Sequence, residues 1–271
     1  MRRIRRRHIL AASSCAVAVW CAWSLFSDSP PSGALRGLPE AGGTWVATFN
    51  VNFERVNPET VSALLALDAD VVFLQETHGD WQSIIEQSPL VSAYPHRFFL
   101  ERPLEGGMGV LSRHPLRDVS VSEPSVVQFP AVCLRVDTPS GALAVLSLHL
   151  LPPLDEEGSL WRGYWTTPPQ RLAELEHHLS CGGIGPFDLI VGDLNEGEGP
   201  TLSALRDAGF VESQRVHSPP EPTWHWNVGA LVLRGRPDHI LVGDALRVAA
   251  VQVVTAQGAS DHAPLRAQIT R

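Results

Sequence analysis

The stretch "LIVGDLNEGEGP" (Leu189–Pro200) begins as an apolar strand and stops on an acid and an amide two residues apart. Leu189, Ile190 and Val191 show no polar alternation, which is the pattern of a strand covered on both faces. Residues i and i+2 of a strand point the same way, so an extended run through Asn195 turns Asp193 and Asn195 toward one space. Asp, Asn and Gly are equally the residues of a turn after a buried strand. The choice between turn and site rests on the rest of the chain.

Working outward, short apolar strands alternate with a few helices from Thr44 onward. "TWVATFNV", "DVVFLQE", "GMGVLSRHPL", "AVCLRVDTP", "GALAVLSLHL", "FDLIVGDLN", "PDHILVG", "LRVAAVQVV" and "APLRAQIT" read as strands, with Pro and Gly turns between them. "NPETVSALLALDAD" reads as a helix with Asn57 as N-cap and Pro58 at its first position. "TPPQRLAELEHHLS" and "GPTLSALRDAGF" read as two more. This is a mixed α/β body. Its polar interruptions fall at strand ends: Asn50, Glu76, His149, Asp193, Asn195, Asp238, Asp261 and His262 each follow or flank an apolar run. Loops at one end of stacked sheets are where dispersed residues converge.

Composition narrows the chemistry. The 271 residues contain 44% hydrophobic and 18% charged residues, a globular balance. There is no lysine, which excludes a Walker-type phosphate loop, a pyridoxal Schiff base and a lysine nucleophile. Five of the 21 arginines lie in the first seven residues, and the remaining 16 face 29 acids, a balance of −13. Such a body is not built for non-specific adhesion to nucleic acid. It can still bind a phosphate locally where a metal supplies positive charge.

"MRRIRRRHIL AASSCAVAVW CAWSLF" is an arginine-rich head followed by an uncharged apolar run from Ile9 to Phe26. It reads as an N-terminal hydrophobic helix (1–26), preferred as a signal anchor over a cleaved signal peptide because no clear A-x-A site follows. The positive-inside rule then puts everything after Phe26 outside the cytoplasm. Residues 27–43, rich in Pro, Gly and Ser, read as a linker to a domain over 44–271. Cys133 and Cys181 can pair in an oxidising compartment; sequence alone leaves that open.

"TFNV", "LQE", "GVLSRHPL", "LSLHL", "IVGDLN", "RPDHILV" and "SDHAPL", in that order, resemble the endonuclease/exonuclease/phosphatase family of metal-dependent phosphoesterases. The resemblance spans roughly Thr44 to Arg271 and implies a four-layer α/β/β/α sandwich. It implies Mg²⁺, with Mn²⁺ as a substitute, held by Glu76, with Asn50 and Asp261 beside it. Asp193 and Asn195 match the pair that orients the attacking water and the phosphoryl oxygens. His262 matches the catalytic histidine, Asp238 its acid, and His149 the second, phosphate-binding histidine. Glu105 is the nearest candidate for the acidic partner of His149. The implied substrate is a phosphate ester: nucleic acid, a phospholipid headgroup or a small ester. The N-terminal segment adds membrane contact, and the chain is expected to be a monomer.

These residue types suit the chemistry. A phosphate ester is anionic and repels hydroxide; a cation on one or two carboxylates offsets that repulsion. A carboxylate-paired histidine manages a proton near neutral pH. The competing reading is a non-catalytic binding module on the same fold, which should have lost some of these positions; all the principal ones are filled. Other marked residues have plain readings. His114, His177, His178 and His239 read as structural or surface residues. Trp224 and Trp226 fit strand packing or a substrate-stacking wall, and Arg113 and Arg162 fit phosphate contact or a solvated surface.

Overall fold

The computed structural model describes residues 30–52, 58–77, 79–102, 106–124, 129–217, 219–255 and 260–271. The expected N-terminal hydrophobic helix, the Asn57 cap and Glu105 lie outside these residues. Among the described residues no helix is long and apolar enough to cross a membrane.

Two sheets organise the chain. The first has the order β1 (Arg36–Gly37), β14 (Arg247–Val253), β15 (Leu265–Thr270), β2 (Thr44–Asn50), β3 (Val71–Gln75), β5 (Met108–Ser112), β4 (His96–Leu100). The second has the order β10 (Val211–Glu212), β13 (Asp238–Val242), β9 (Leu189–Asp193), β8 (Gly141–His149), β7 (Ala131–Thr138), β6 (Leu116–Ser122). A separate hairpin pairs β11 (Trp224–Val228) with β12 (Leu231–Gly235).

The apolar strand runs follow from burial on both faces. Val46, Val71, Phe73, Leu189, Val191 and Ile240 share a core in which residues of both sheets meet. Their strand neighbours Ala47, Phe49, Val72 and Leu74 point the other way. They pack with Val61 and Leu64 of α1 (Pro58–Ala66), Trp81 and Ile85 of α2 (Gly79–Glu86) and Leu90 of α3 (Leu90–Ala93). On the second sheet Leu146, Leu148, Ile190 and Leu241 pack with Leu175 of α5 (Pro168–His178) and Leu202 and Leu205 of α6 (Pro200–Asp207). The result is a mixed α/β fold with helices on the outer faces of its sheets.

One stretch divides where a single strand was expected. "GMGVLSRHPL" supplies β5 to the first sheet and the start of β6 to the second. The Ser112 hydroxyl donates to His114 O and accepts from His114 N–H, closing a turn just before Pro115. His114 therefore serves the crossover between sheets, as its structural reading implies.

Cys133 on β7 and Cys181, after α5, form a disulfide with Cα atoms 6.3 Å apart and a sequence separation of 48. Both are buried in the core beneath α5 and α6. Closing a loop of that length removes enough unfolded-state entropy to stabilise by about 4 kcal/mol. The Cys133→Ala/Cys181→Ala variant should therefore unfold in urea with ~2–4 kcal/mol less stability than the oxidised protein.

Candidate active site

Register builds the site. In the parallel pair β8–β9, His149 stands opposite Asp193, and in the antiparallel pair β9–β13, Asp193 stands opposite Asp238. Directly paired residues share a face, so these three form a row across adjacent strands. Gly192 permits the row: its φ is +142°, and a Cβ there would lie 1.9 Å from Leu148 O. The first sheet contributes Asn50 at the end of β2 and Glu76 just past β3, whose last residues pair as Asn50 with Gln75.

The two sheets meet at the Asn50 amide. Its Nδ2 donates to Glu76 Oε1 at 2.8 Å and to Asp193 Oδ2 at 3.0 Å. Its Oδ1 accepts Asn52 N–H at 3.0 Å, which fixes the amide's orientation. Asn50 thus turns its nitrogen, not its oxygen, toward the acids. Asp193 Oδ2 also lies 3.8 Å from His262 Nε2 and 4.0 Å from His149 Nε2, and His149 Nε2 lies 3.7 Å from Glu76 Oε1. This one carboxylate oxygen is the centre of the arrangement.

His262 is oriented from behind. Its Nδ1 is 2.9 Å from Asp238 Oδ2, so a protonated Nδ1 donates to the acid and Nε2 faces Asp193. Burial alone pushes the imidazolium down. The carboxylates of Asp238, Asp193 and Asp261 outweigh burial and hold its pKa at about 10. The segment carrying it is pinned: Ser260 Oγ donates to Asn50 O at 2.7 Å and accepts from His262 N–H at 3.0 Å. Asp261 accepts from Asn52 Nδ2 at 3.1 Å and from Trp224 Nε1 at 2.9 Å, which ties the hairpin to the same loop.

Asn195 donates its backbone N–H to Asp193 Oδ1 and its side-chain Nδ2 to Leu150 O, both at 2.8 Å. The amide is thereby spent partly on joining the loops after β8 and β9. Asn52, Glu76 and Asn195 have φ of +54°, +57° and +51°, a left-handed backbone in three non-glycine residues that all lie at this site. Strain of this kind persists where surrounding bonds over-determine it.

The donor chemistry fits a hard divalent cation. Glu76 and Asp193 bring carboxylate oxygens to one amide, and burial pushes the Glu76 carboxyl up despite His149 and Asn50, so a cation there relieves a desolvated charge. Ligand atoms of Asp193, Asp238 and His262 also lie within 4.8 Å of one another. Within that group Asp238 Oδ2 is already engaged by His262 Nδ1, which leaves Asp193 as the carboxylate shared with Glu76.

All eight expected site residues converge on this end of the sheets. Arg113 instead pairs with Asp68 and Asp70, and Arg162 with Glu157 at the surface. Sequence reasoning missed Asn52, Ser260 and Phe129, and the buried face of α5. Trp224 reads from sequence as strand packing or a stacking wall, not as the N–H donor to Asp261 that it is. Asn52 carries a visible signal, two residues after Asn50, whereas a serine or phenylalanine in a loop carries none.

Along that face of α5, Arg171, Glu174 and His178 are all buried. Burial pushes the Glu174 carboxyl up to about 7, against the pull of Leu151 N–H and Arg171. A carboxyl raised above its ordinary 4.5 stabilises fully below that value and loses the contribution as pH rises through about 7. Glu174→Gln keeps an acceptor for Leu151 N–H and removes the titration. Its stability relative to wild type should improve by up to about 3 kcal/mol between pH 4.5 and 8. Urea unfolding of both proteins across that range checks this.

A family model described as the endonuclease/exonuclease/phosphatase family matches residues 47–262. Among solved structures, the chain is similar to TDP2 of D. rerio complexed with single-strand DNA product. That match has 15% identity and a TM-score of 0.66, covering 84% of this chain and 99% of that one. It is also similar to the 3′ phosphatase NExo from Neisseria bound to a product DNA hairpin, with 20% identity, a TM-score of 0.61, and 84% and 100% coverage. A third is an endonuclease/exonuclease/phosphatase from Beutenbergia cavernae, with 21% identity, a TM-score of 0.60, and 84% and 71% coverage. At these identities the likeness is one of fold. Comparison with the curated proteins finds no match.

Proposed function

The chain belongs to the endonuclease/exonuclease/phosphatase family, whose members hydrolyse phosphate esters, and from that premise we propose that it is a Mg²⁺-dependent phosphoesterase acting outside the cytoplasm. The fold we assign is the family's four-layer α/β/β/α sandwich. The observation that carries the reading is the Asp238–His262 pair, aimed through Nε2 at Asp193 Oδ2, 3.8 Å away. That separation is too long for a direct hydrogen bond, but one water molecule can touch both groups.

In this mechanism Glu76 and Asp193 would hold the cation, with Asp261 as a further carboxylate of the same loop cluster. When bound, the cation offsets the charge of the phosphate and lowers the cost of forming hydroxide. Mn²⁺ can replace Mg²⁺ at such an oxygen-donor site. Asn50 keeps the Glu76 and Asp193 carboxylates aligned through its Nδ2. Asp193 orients the attacking water. The remaining Asn195 amide N–H and His149 Nε2 donate to phosphoryl oxygens. His262, with its charge form stabilised by Asp238, exchanges the proton that the reaction moves. Asn50 Nδ2, His149 Nε2 and His262 Nε2 all approach one oxygen of Asp193, which a scaffold evolved only for binding does not require.

The reacting group is a phosphate mono- or diester. Two solved relatives carry DNA products, which supports nucleic acid, while the acidic body favours a small ester or headgroup. The full-length protein should be assayed with Mg²⁺ on single-stranded DNA, 3′-phosphorylated DNA, sphingomyelin and inositol phosphates in parallel. Turnover of one class identifies the substrate; no turnover of any of them sinks the enzyme reading. The location rests on the arginine-headed apolar run and on the Cys133–Cys181 disulfide, which fits an oxidising compartment. A signal anchor should keep the protein in carbonate-washed membranes, and recovery of a soluble form beginning near Ser27 would show cleavage instead.

A further inference from the structure

His149 is stacked on a phenylalanine. The Phe129 ring lies with its centroid 4.5 Å from that of His149 and its plane tilted by 12°, and both residues are buried. Phe129 sits in the connection before β7, far in sequence from every site motif. Its backbone is held as well: Phe129 O lies 3.2 Å from His178 Nε2, and His178 Nδ1 lies 2.8 Å from Ser122 Oγ. A carbonyl only accepts, so Nε2 carries the proton and Nδ1 accepts from the serine. Burial, with His177 beside it, pushes the His178 pKa down to about 4, which keeps the ring in that neutral form.

The same face of α5 also holds the chain that follows His149. Residues 171, 174 and 178 follow the three-and-four spacing of one helix face. Glu174 Oε2 accepts Leu151 N–H at 2.8 Å, Arg171 Nη1 donates to Leu151 O at 3.3 Å, and Arg171 Nε donates to Glu196 Oε2 at 3.4 Å. The helix thereby fixes the chain two residues after His149, the residue after Asn195, and the backbone of the residue whose ring covers His149.

We propose that Phe129 is a positioning residue for His149: clamped to α5 through its carbonyl, it sets by stacking the plane of the imidazole and so the direction of Nε2 toward Glu76 and Asp193. This rests on the phosphoesterase reading for its consequence in catalysis, but not for the geometry. An aromatic face restricts rotation about χ2, which an aliphatic side chain of similar volume leaves open. A histidine that rotates away loses a donor aimed at the phosphoryl oxygen.

The test compares full-length wild type, Phe129→Leu and Phe129→Tyr, by NMR of the His149 ring protons and by steady-state kinetics. In wild type those protons should be shifted upfield by the phenyl ring current. Phe129→Leu should lose that shift and fall about tenfold to a hundredfold in kcat with KM little changed, while Phe129→Tyr keeps both near wild type. A merely structural role would lower the melting temperature without this split between the Leu and Tyr variants. His149 protons without the upfield shift in wild type, or a folded Leu variant with wild-type kcat, would overturn the proposal. The wild-type spectrum decides the geometry even if Phe129→Leu does not fold. Failure of the phosphoesterase reading would show separately, as a wild type inactive on every ester with the ring-current shift intact.

Discussion

Replacing His262 with Ala should lower kcat by about three to four orders of magnitude, and Asp238→Asn should come close to it. The two side chains act as one device: Asp238 Oδ2 holds His262 Nδ1 at 2.9 Å, leaving Nε2 directed at Asp193. An asparagine in place of Asp238 removes the charge that sustains the imidazolium and permits the wrong tautomer. Because the residues form a unit, the double variant should be scarcely slower than the worse single one. His149→Ala should add its own loss on top, since its ring approaches the centre from the opposite strand of the row. Thermal melts keep the comparison fair. If the loss of rate merely tracks the loss of stability, these residues maintain the fold rather than the reaction.

Glu76→Gln should raise the Mg²⁺ concentration needed for half-maximal activity by about a hundredfold or more, because loss of an outer-shell partner alone costs ten- to a hundredfold. Stability supplies an independent reading. Burial penalises the Glu76 carboxylate in the metal-free protein, so the glutamine variant should melt above wild type without metal. It should also gain less from added Mg²⁺, since stabilisation by a ligand grows with the logarithm of its affinity for the folded state. Identical Mg²⁺-induced melting shifts in both proteins would place the cation elsewhere.

Much of this was legible in the chain because burial and chemistry write different signals. Strands covered on both faces appear as unbroken apolar runs, so β2, β3, β8, β9 and β13 were visible, and so were the polar residues that end them. β4, with four half-buried positions, and the exposed hairpin of β11 and β12 carry weaker patterns and went unread. The helices α2 and α4 (Leu160–Thr166) were also missed, whereas α6, of the same eight-residue length as α2, is announced by Gly199-Pro200 at its start. At the site, the residues that present charge were found. Those that orient them were not: Ser260, Asn52 and Phe129 act through contacts to residues distant in sequence, and for Ser260 and Phe129 no local spacing marks them. His178 shows the limit most clearly: beside His177 on one helix it reads only as structural or surface, and it proves 1% exposed and holds the chain at Phe129. Only the packing of α5 against the second sheet distinguishes the two.

In the proposed reaction water, oriented by Asp193 and served by His262, attacks phosphorus with a divalent cation in place. Hydrolysis of the substrate found in the parallel assays, run by the full-length protein in H₂¹⁸O with Mg²⁺, tests it through the mass of the phosphoryl product. The account predicts one ¹⁸O atom in the phosphoryl group of each product molecule, formed with Mg²⁺ and abolished by chelator. Product carrying no ¹⁸O on phosphorus, or formed at full rate in excess chelator, would contradict it.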